Sequence, residues 1–248
     1  MMEIEAMEIH TIETQALETS AMMMEPQTVS VPAYVEIPAP LYQEKPVYEF
    51  FKRCFDIVAA VGLLIVGILP ILIIALLIKA NDGGPVFYKQ QRVGRYGRVF
   101  ELYKFRSMCQ NADALHQSLS AEQLEQYKRE FKLDDDPRVT RIGKILRKTS
   151  LDELPQIMNI LRGELSLIGP RPLLEKELEV YGPNREQLLK VRPGLTGYWQ
   201  AYARNEAGYQ DGKRQAMELY YVEHRGFWLD IKIFFKTIGT VLSRKGAI

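Results

Sequence analysis

The run from Ile57 to Ile78 holds 22 residues without a charged side chain. A helix of that length measures about 33 Å, which is enough to cross the roughly 30 Å hydrocarbon core of a bilayer. Pro70 lies inside the run, where it removes one helical hydrogen bond and favours a kink. The run therefore predicts a membrane-embedded helix, and Pro70 marks the position at which this helix would bend.

Both flanks of the run are basic. Lys52 and Arg53 precede it, and five more basic residues follow it: Lys79, Lys89, Arg92, Arg95 and Arg98. Because Lys and Arg beside a membrane segment favour the cytoplasm, both flanks favour the same face. A helix that bends at Pro70 and returns satisfies both flanks, whereas a crossing helix satisfies only one. Proline also occurs in crossing helices, so the sequence alone leaves re-entry and simple spanning open.

Charge is distributed unevenly outside the run. Residues 1–51 contain nine Glu and one basic residue, Lys45, so the rest of the chain carries +9 within a total of +1. Residues 1–48 lack periodicity and a signal-peptide pattern, which predicts a disordered acidic tail. The basic body suits phosphate-rich substrates, an anionic membrane surface or nucleic acid. The two cysteines, Cys54 and Cys109, argue against a disulfide framework or a zinc site.

The remainder of the chain predicts a small β-hairpin and several helices. "VFYKQ" and "RVFELYKFRSM" are typical of short strands, and "RVGRYGR" between them is typical of a turn. Near the C-terminus, "FWLDIKIFFKTIGTVLSRK" places apolar residues at helical spacing with basic residues between them, which predicts an amphipathic helix. The sequence leaves open whether this helix lies in the membrane interface or docks on the protein's own core.

"TSLDELPQ" places two carboxylates, Asp152 and Glu153, ahead of a proline. The pattern fits the first turn of a helix, because Ser150 and Glu153 match a capping box and acids are favourable at a helix N-terminus. A catalytic role is the alternative, since an aspartate can attack phosphorus and form an acyl phosphate. The two interpretations are compatible, because a helix N-terminus also favours the anions of a substrate.

Two later segments place arginine beside proline. In "LIGPRPLLEKE", two prolines restrict the backbone on both sides of Arg171, which suits an arginine aimed at phosphate. In "VRPGLTGYWQAYARNEAG", aromatic residues accompany Arg192 and Arg204 and predict either a stacking wall for a base or sugar or a tightly packed loop. Paired carboxylates, arginines and a membrane segment together suit phosphoryl transfer to a lipid. Because a carboxylate and a diphosphate repel each other, that reaction needs cationic side chains and a bridging metal.

Several blocks of the sequence resemble, in order, the bacterial sugar transferase family of monotopic polyprenyl-phosphate phosphoglycosyl transferases. The blocks lie between residues 48 and 246 and are "KRCFDIVAA", "YKFRSM", "DPRVTRIGKILRKTSLDELPQ", "LSLIGPRPLL", "VRPGLTGYWQ" and "YYVE…WLDIKI". The resemblance implies an α/β, mainly helical fold with a membrane-embedded re-entrant helix bent at Pro70, a small β-hairpin and amphipathic interfacial helices. Three parts are then expected. They are the disordered acidic tail (1–48), the re-entrant membrane helix (49–80) and a cytoplasmic catalytic domain with a C-terminal interfacial helix (81–248).

The resemblance also implies a reaction. A sugar 1-phosphate would pass from a UDP-sugar to polyprenyl phosphate, usually undecaprenyl phosphate, with Mg²⁺ and release of UMP, as the first step of surface glycan or exopolysaccharide synthesis. Asp152 would be the nucleophile that holds the covalent phosphosugar and would contact the metal, and Glu153 would position Asp152 or the metal. Four basic residues match family positions expected to face phosphates: Lys104, Arg147, Arg171 and Arg204.

The implied partners are the UDP-sugar donor, the polyprenyl phosphate acceptor and the lipid bilayer. The implied location is the bacterial inner (cytoplasmic) membrane, with the catalytic domain on the cytoplasmic face. No nucleic acid partner is expected, and a homodimer is an open alternative. Two other functions compete: a non-enzymatic membrane scaffold that binds anionic lipid, and an enzyme that transfers to water. The scaffold predicts salt-sensitive binding without metal-dependent turnover.

Overall fold

The computed structural model of the protein describes residues 38, 42–112, 114, 119–130, 133, 136–203 and 211–242. Arg204 and most of the predicted acidic tail lie outside them. Tyr42 lies inside, with its ring 4.3 Å from the guanidinium carbon of Arg225 and 5.2 Å from the ammonium of Lys190. The packed body therefore begins upstream of residue 48, the predicted end of the tail.

The described residues form a mainly helical fold with little sheet, as predicted. In chain order the elements are α1 (Pro46–Asp82), β1 (Phe87–Val93), β2 (Val99–Phe105), α2 (Ala121–Glu130), α3 (Arg141–Thr149), α4 (Ile157–Arg162), β3 (Ser166–Ile168), α5 (Glu175–Leu178), α6 (Arg185–Leu189), β4 (Gly194–Thr196), α7 (Tyr198–Tyr202), α8 (Lys213–His224) and α9 (Phe227–Leu242). Short 3₁₀ segments are also present: Arg95–Gly97, Leu151–Gln156 and Glu179–Asn184.

The apolar helix α1 continues through Pro70 as one helix of 37 residues. It is long and apolar enough to be embedded in a membrane, and only 11% of its most apolar 18-residue window is buried, which is unlike the core helix of a soluble protein. Its buried residues lie toward its two ends: Tyr48, Asp56, Ala60, Ile74 and Ile78. The body thus covers both ends of α1 and leaves residues 61–73 without a buried position. The bend at Pro70 stays a prediction.

The predicted hairpin is confirmed. β1 and β2 pair antiparallel, with Phe87 opposite Phe105. Phe105 is 1% exposed and packs in one apolar cluster with Ile74 and Ile78 of α1 and with Leu146 of α3. The hairpin therefore joins the C-terminal end of α1 to the helix that precedes the Asp-Glu pair.

A parallel pair of three-residue strands, β3 and β4, was not predicted. The backbone N–H of Gly169 donates to the Thr196 carbonyl at 2.8 Å, and the N–H of Gly194 donates to the Pro170 carbonyl at 2.8 Å. A Cβ atom at Gly194 would collide with the backbone of Gly169, so these two turns approach more closely than a side chain permits. The contact fixes the turn that carries Arg171 against the start of β4.

The C-terminal helix α9 has one covered face and one exposed face, which agrees with the predicted amphipathic pattern. Ile233 is fully buried, whereas Trp228 and Phe235 are 78% and 67% exposed. The helix therefore docks on the body and still presents aromatic side chains outward. Docking on the protein's own core is confirmed for the covered face, whereas contact of the exposed face with the membrane interface stays a prediction.

Asp230, in the first turn of α9, connects three helices. Its Oδ2 accepts hydrogen bonds from the Tyr48 hydroxyl at 2.8 Å and from the Lys52 ammonium at 2.7 Å, both on α1. Its Oδ1 accepts one from the Tyr221 hydroxyl of α8 at 2.8 Å. We call these four residues the Asp230 clamp. The clamp fixes the N-terminal end of α1 to the same body that holds its C-terminal end.

Candidate active site

The Asp-Glu pair does not open a long helix. Ser150 ends α3 in the left-handed conformation, with φ of 57°, and makes no side-chain capping hydrogen bond. The predicted capping box is therefore wrong. Leu151–Gln156 forms a 3₁₀ segment, and α4 begins only at Ile157. The left-handed residue turns the chain, so Asp152 and Glu153 lie in a tight connection between two helices, where β2 packs against them.

Glu153 pairs with Lys104, which lies 49 residues earlier on β2. The Lys104 ammonium donates to Glu153 Oε1 at 3.1 Å. Both side chains are partly buried, and both line a cavity of about 300 Å³. The fold thus brings together two of the residues that the sequence selected separately.

Asp152 is 9% exposed and does not line this cavity. Among the described residues, no side chain donates a hydrogen bond to its carboxylate. Burial raises the pKa of the Asp152 carboxyl above its ordinary value; Lys104 and Arg147 oppose this rise, and the charge of Glu153 adds to it. A desolvated carboxylate is more basic than a solvated one and is a stronger nucleophile once ionised. The candidate nucleophile is therefore buried between two chain neighbours, Leu151 and Glu153, that both line the cavity.

Arg147, in the last turn of α3, is partly buried and close enough to Asp152 for their charges to interact. Its Nε donates to the Ser107 hydroxyl at 3.0 Å. Burial lowers the pKa of the Arg147 guanidinium, and the negative charge of Asp152 opposes that change. An arginine retains its proton at physiological pH, so Arg147 supplies a fixed positive charge close to Asp152. It does not line the cavity, and its contact with phosphate stays a prediction.

Arg171 lines the cavity together with Lys104 and Glu153, and its contact with phosphate stays a prediction. Arg92 of β1 also lines it, and the sequence analysis did not select Arg92 as a site residue. The only hint in the sequence is that Arg92 belongs to a densely basic hairpin. Because strand arginines are usually solvated, that hint does not distinguish Arg92 from its neighbours. Arg204 lies outside the described residues, so its contact with phosphate stays a prediction.

Another part of the cavity wall is apolar and comes from the elements with exposed hydrophobic faces. Leu63 of α1 and Phe234 and Ile238 of α9 line it. The hydroxyls of Thr196 and Thr237 lie 2.9 Å apart and connect β4 to α9 along this wall. One cavity therefore offers cationic groups and apolar side chains together. This combination suits an amphipathic ligand with an anionic head.

Asp152 and Glu153 supply two adjacent carboxylates, which are the type of oxygen ligand that Mg²⁺ prefers. Within the part of the chain that the structure describes, no group of three or more His, Cys, Asp or Glu side chains is arranged to hold a metal. Mg²⁺ is commonly bound by one or two carboxylates, with water and substrate phosphates as its other ligands. A site that is completed by a diphosphate is therefore consistent with this geometry, whereas a metal cage built from the protein alone is not found in these residues.

Comparison with known proteins assigns the family. A family model described as bacterial sugar transferase matches residues 47–244, which include the Asp-Glu pair and the four basic residues expected to face phosphates. The chain belongs to the bacterial sugar transferase family. The family resemblance that the sequence blocks suggested is thereby confirmed.

Relatives in this family carry informative names. The chain is 45% identical over 201 residues to the UDP-galactose-lipid carrier transferase of Erwinia amylovora, covering 80% of this chain and 42% of that protein. It is 44% identical over 201 residues to the undecaprenyl-phosphate galactose phosphotransferase of Salmonella typhimurium LT2, with the same coverage of 80% and 42%. It is 41% identical over 228 residues to the exopolysaccharide production protein ExoY of Rhizobium meliloti, covering 90% of this chain and 100% of that protein. The chain thus spans about two fifths of the first two relatives and the full length of the third.

Proposed function

We propose that the protein transfers a sugar 1-phosphate from a UDP-sugar to polyprenyl phosphate. The cavity carries this proposal, because Lys104, Arg171 and Glu153 share it with apolar side chains of α1 and α9. The cationic groups suit the phosphates of the donor and acceptor, and the apolar wall suits a prenyl chain. The names of the relatives from Erwinia and Salmonella support the same donor and acceptor classes.

In the first step, a carboxylate oxygen of Asp152 attacks the phosphorus that carries the sugar. A P–O bond forms to Asp152, the bond to the bridging oxygen of the diphosphate breaks, and UMP leaves with that oxygen. In the second step, a phosphate oxygen of polyprenyl phosphate attacks the same phosphorus and releases the Asp152 carboxylate. The product is a polyprenyl diphosphate sugar, and the number of phosphoryl groups balances.

The other residues act on charge and position. Lys104 holds Glu153 beside the candidate nucleophile and, with Arg171, offsets the negative charge of the diphosphate. The positive charge of Arg147 stabilises the ionised form of Asp152. Asp152 and Glu153 would hold Mg²⁺, which supplies further neutralisation of the phosphates when bound.

The membrane arrangement proposed here has residues 49–80 entering and leaving one face, with 81–248 on the cytoplasmic side of the inner membrane. Both ends of α1 pack on the same body, which favours this arrangement. The stretch without buried residues, 61–73, measures about 20 Å as a helix, which is shorter than a roughly 30 Å hydrocarbon core.

Single-cysteine variants at positions 50 and 96, in a background without native cysteines, would label from the same side. Labelling from opposite sides would establish a crossing helix instead.

The experiment that tests the reaction is adduct trapping. Purified protein with Mg²⁺ and a panel of UDP-sugars, without lipid acceptor, should gain the mass of one sugar phosphate and release one UMP per molecule. Asp152→Asn should do neither, whereas Glu223→Gln, an exposed carboxylate on α8, should behave as wild type. Turnover without any protein adduct in rapid-quench samples would contradict the two-step route. Release of free sugar phosphate in the presence of lipid would identify a hydrolase.

A further inference from the structure

A group of charged side chains lies behind the turn that carries Arg171. We call this group the Arg171 network; its members are Arg92, Arg171, Glu177, Arg214 and Glu218. Four of the five are buried, with 6%, 3%, 7% and 1% exposure for Arg92, Glu177, Arg214 and Glu218. The network has three guanidinium groups and two carboxyl groups, so its positive charges outnumber its negative charges by at least one. Two of the positive members, Arg92 and Arg171, line the cavity.

The network holds the turn by its backbone. The N–H of Arg171 donates to both carboxylate oxygens of Glu218 at 3.3 Å. The N–H of Leu174 donates to Glu177 Oε2 at 2.6 Å. Arg92 Nη1 bridges the Pro172 carbonyl at 3.1 Å and Glu177 Oε2 at 2.9 Å. Two buried carboxylates and one buried guanidinium therefore fix three successive points of the turn, in addition to the restraint that its two prolines impose.

Holding the turn through the buried carboxyl of Glu218 carries a desolvation cost. Burial raises the pKa of Glu218 to about 7, although Arg214 and Arg171 oppose that rise. Its ionised form is thus disfavoured inside the protein, and an apolar side chain there would avoid this desolvation penalty. Arg214, whose guanidinium carbon lies 3.9 Å from the centre of the Trp199 ring, is held in place by stacking. The desolvation cost of the Glu218 carboxyl is explained if this group positions a cationic side chain for a ligand.

We propose that Glu218 is a positioning residue for the donor diphosphate. It holds the Arg171 backbone so that the Arg171 guanidinium enters the cavity beside Lys104, and Glu177 holds Arg92 at the same wall. The excess positive charge of the network is then available to the phosphates of a uridine diphosphate. The inference rests on the proposed function, because that function places a diphosphate at Arg171.

The test measures binding separately from turnover. UDP is titrated with Mg²⁺ into the purified full-length protein by calorimetry, and KM and kcat are measured from UMP release. Glu218→Gln keeps the size and one acceptor oxygen but removes the charge, so we expect at least a tenfold rise in the Kd of UDP and in KM, with kcat changed less than threefold. Glu218→Asp keeps the charge but has a side chain shorter by one methylene. Its Kd for UDP should lie between those of wild type and Glu218→Gln. Glu223→Gln, exposed on the same helix, should match wild type.

A double-mutant cycle separates positioning from general damage. Arg171→Ala should weaken UDP binding, and adding Glu218→Gln to it should change Kd by less than a further twofold, because the residue being positioned is already gone. Wild-type UDP binding by both Glu218 variants, or effects that multiply in the double variant, would overturn the inference. If wild type binds UDP but releases no UMP from any UDP-sugar, the proposed function fails. The Kd values of the variants for UDP would still decide whether Glu218 positions Arg171.

Discussion

Asp152 and Asp230 are both largely covered by the fold, and they differ in what surrounds their carboxylates. Asp230 accepts hydrogen bonds from two hydroxyls and an ammonium. Asp152 receives none from any described side chain, and its positive neighbours, Lys104 and Arg147, act on it at longer range. A carboxylate saturated by side-chain donors holds elements together, whereas a buried carboxylate without such donors retains lone pairs for a reaction. The contrast separates a structural acid from a candidate catalytic acid within one small body.

The largest expected effect comes from Asp152→Asn. An amide cannot form the acyl phosphate, so UMP release from a UDP-sugar should fall by a factor of at least about 1,000, equivalent to roughly 4 kcal/mol of barrier. The variant should remain folded, because the carboxylate makes no side-chain hydrogen bond within the described residues. Mass spectrometry should first exclude deamidation of the Asn back to Asp. If the variant is then fully active, Asp152 is not the nucleophile and its contrast with Asp230 carries no catalytic meaning.

Asp230→Asn should produce the opposite result. The amide presents a donor to groups that are themselves donors and leaves the Lys52 ammonium without its counter-charge. We expect the free energy of unfolding to fall by about 3 kcal/mol, with activity per folded molecule preserved. Denaturation in detergent or nanodiscs measures the first quantity, and UMP release per native molecule measures the second. Tyr48→Phe, which removes one donor only, should lose about 1 kcal/mol. A stable Asp230→Asn protein would show that the clamp is dispensable.

The pH dependence of the two aspartates should also differ. Because the folded-state pKa of Asp152 is raised, its ionised form lowers stability, and the penalty grows as pH rises from the unfolded value of about 3.9 through the folded value. Asp152→Asn should therefore melt at an equal or higher temperature than wild type at pH 8, and this gain should vanish near pH 4. UMP release should fall about tenfold per pH unit below the folded pKa. If the difference in melting temperature between wild type and Asp152→Asn does not depend on pH, the pKa of Asp152 is not raised in the folded protein.

The smallest expected effect concerns the helix that leads into the site. The Thr140 hydroxyl caps α3 by accepting from the Gly143 N–H at 2.9 Å. Thr140→Ala should lower the free energy of unfolding by about 1 kcal/mol, and Thr140→Ser should restore most of it. Because α3 ends at Ser150, one residue before the 3₁₀ segment, fraying of its first turn should leave kcat within a factor of two. A larger loss of kcat would show that the whole helix, and not only its last turn, positions Asp152.

The sequence predicted the parts of the site that are local. The two carboxylates, the proline-bracketed Arg171 and the basic strand with Lys104 each stand out in a short pattern. Arg92, Glu177 and Glu218 do not, because their roles arise from contacts across 47 to 85 residues. The capping box failed for a related reason. Ser150 and Glu153 match the pattern, but the chain turns at Ser150 to bring the pair against β2, and tertiary packing overrides the local preference.

The sequence by itself determined the apolar helix, the hairpin, the amphipathic C-terminal helix and the choice of candidate reactive side chains, because periodicity and residue chemistry are local properties. Only the tertiary structure decided which carboxylate is saturated with donors, which arginines reach the cavity and which face of α9 is covered. Burial and hydrogen-bond partners depend on residues that are distant in the chain and adjacent in space. For that reason, Asp152 and Asp230 are alike in the sequence and different in the folded protein.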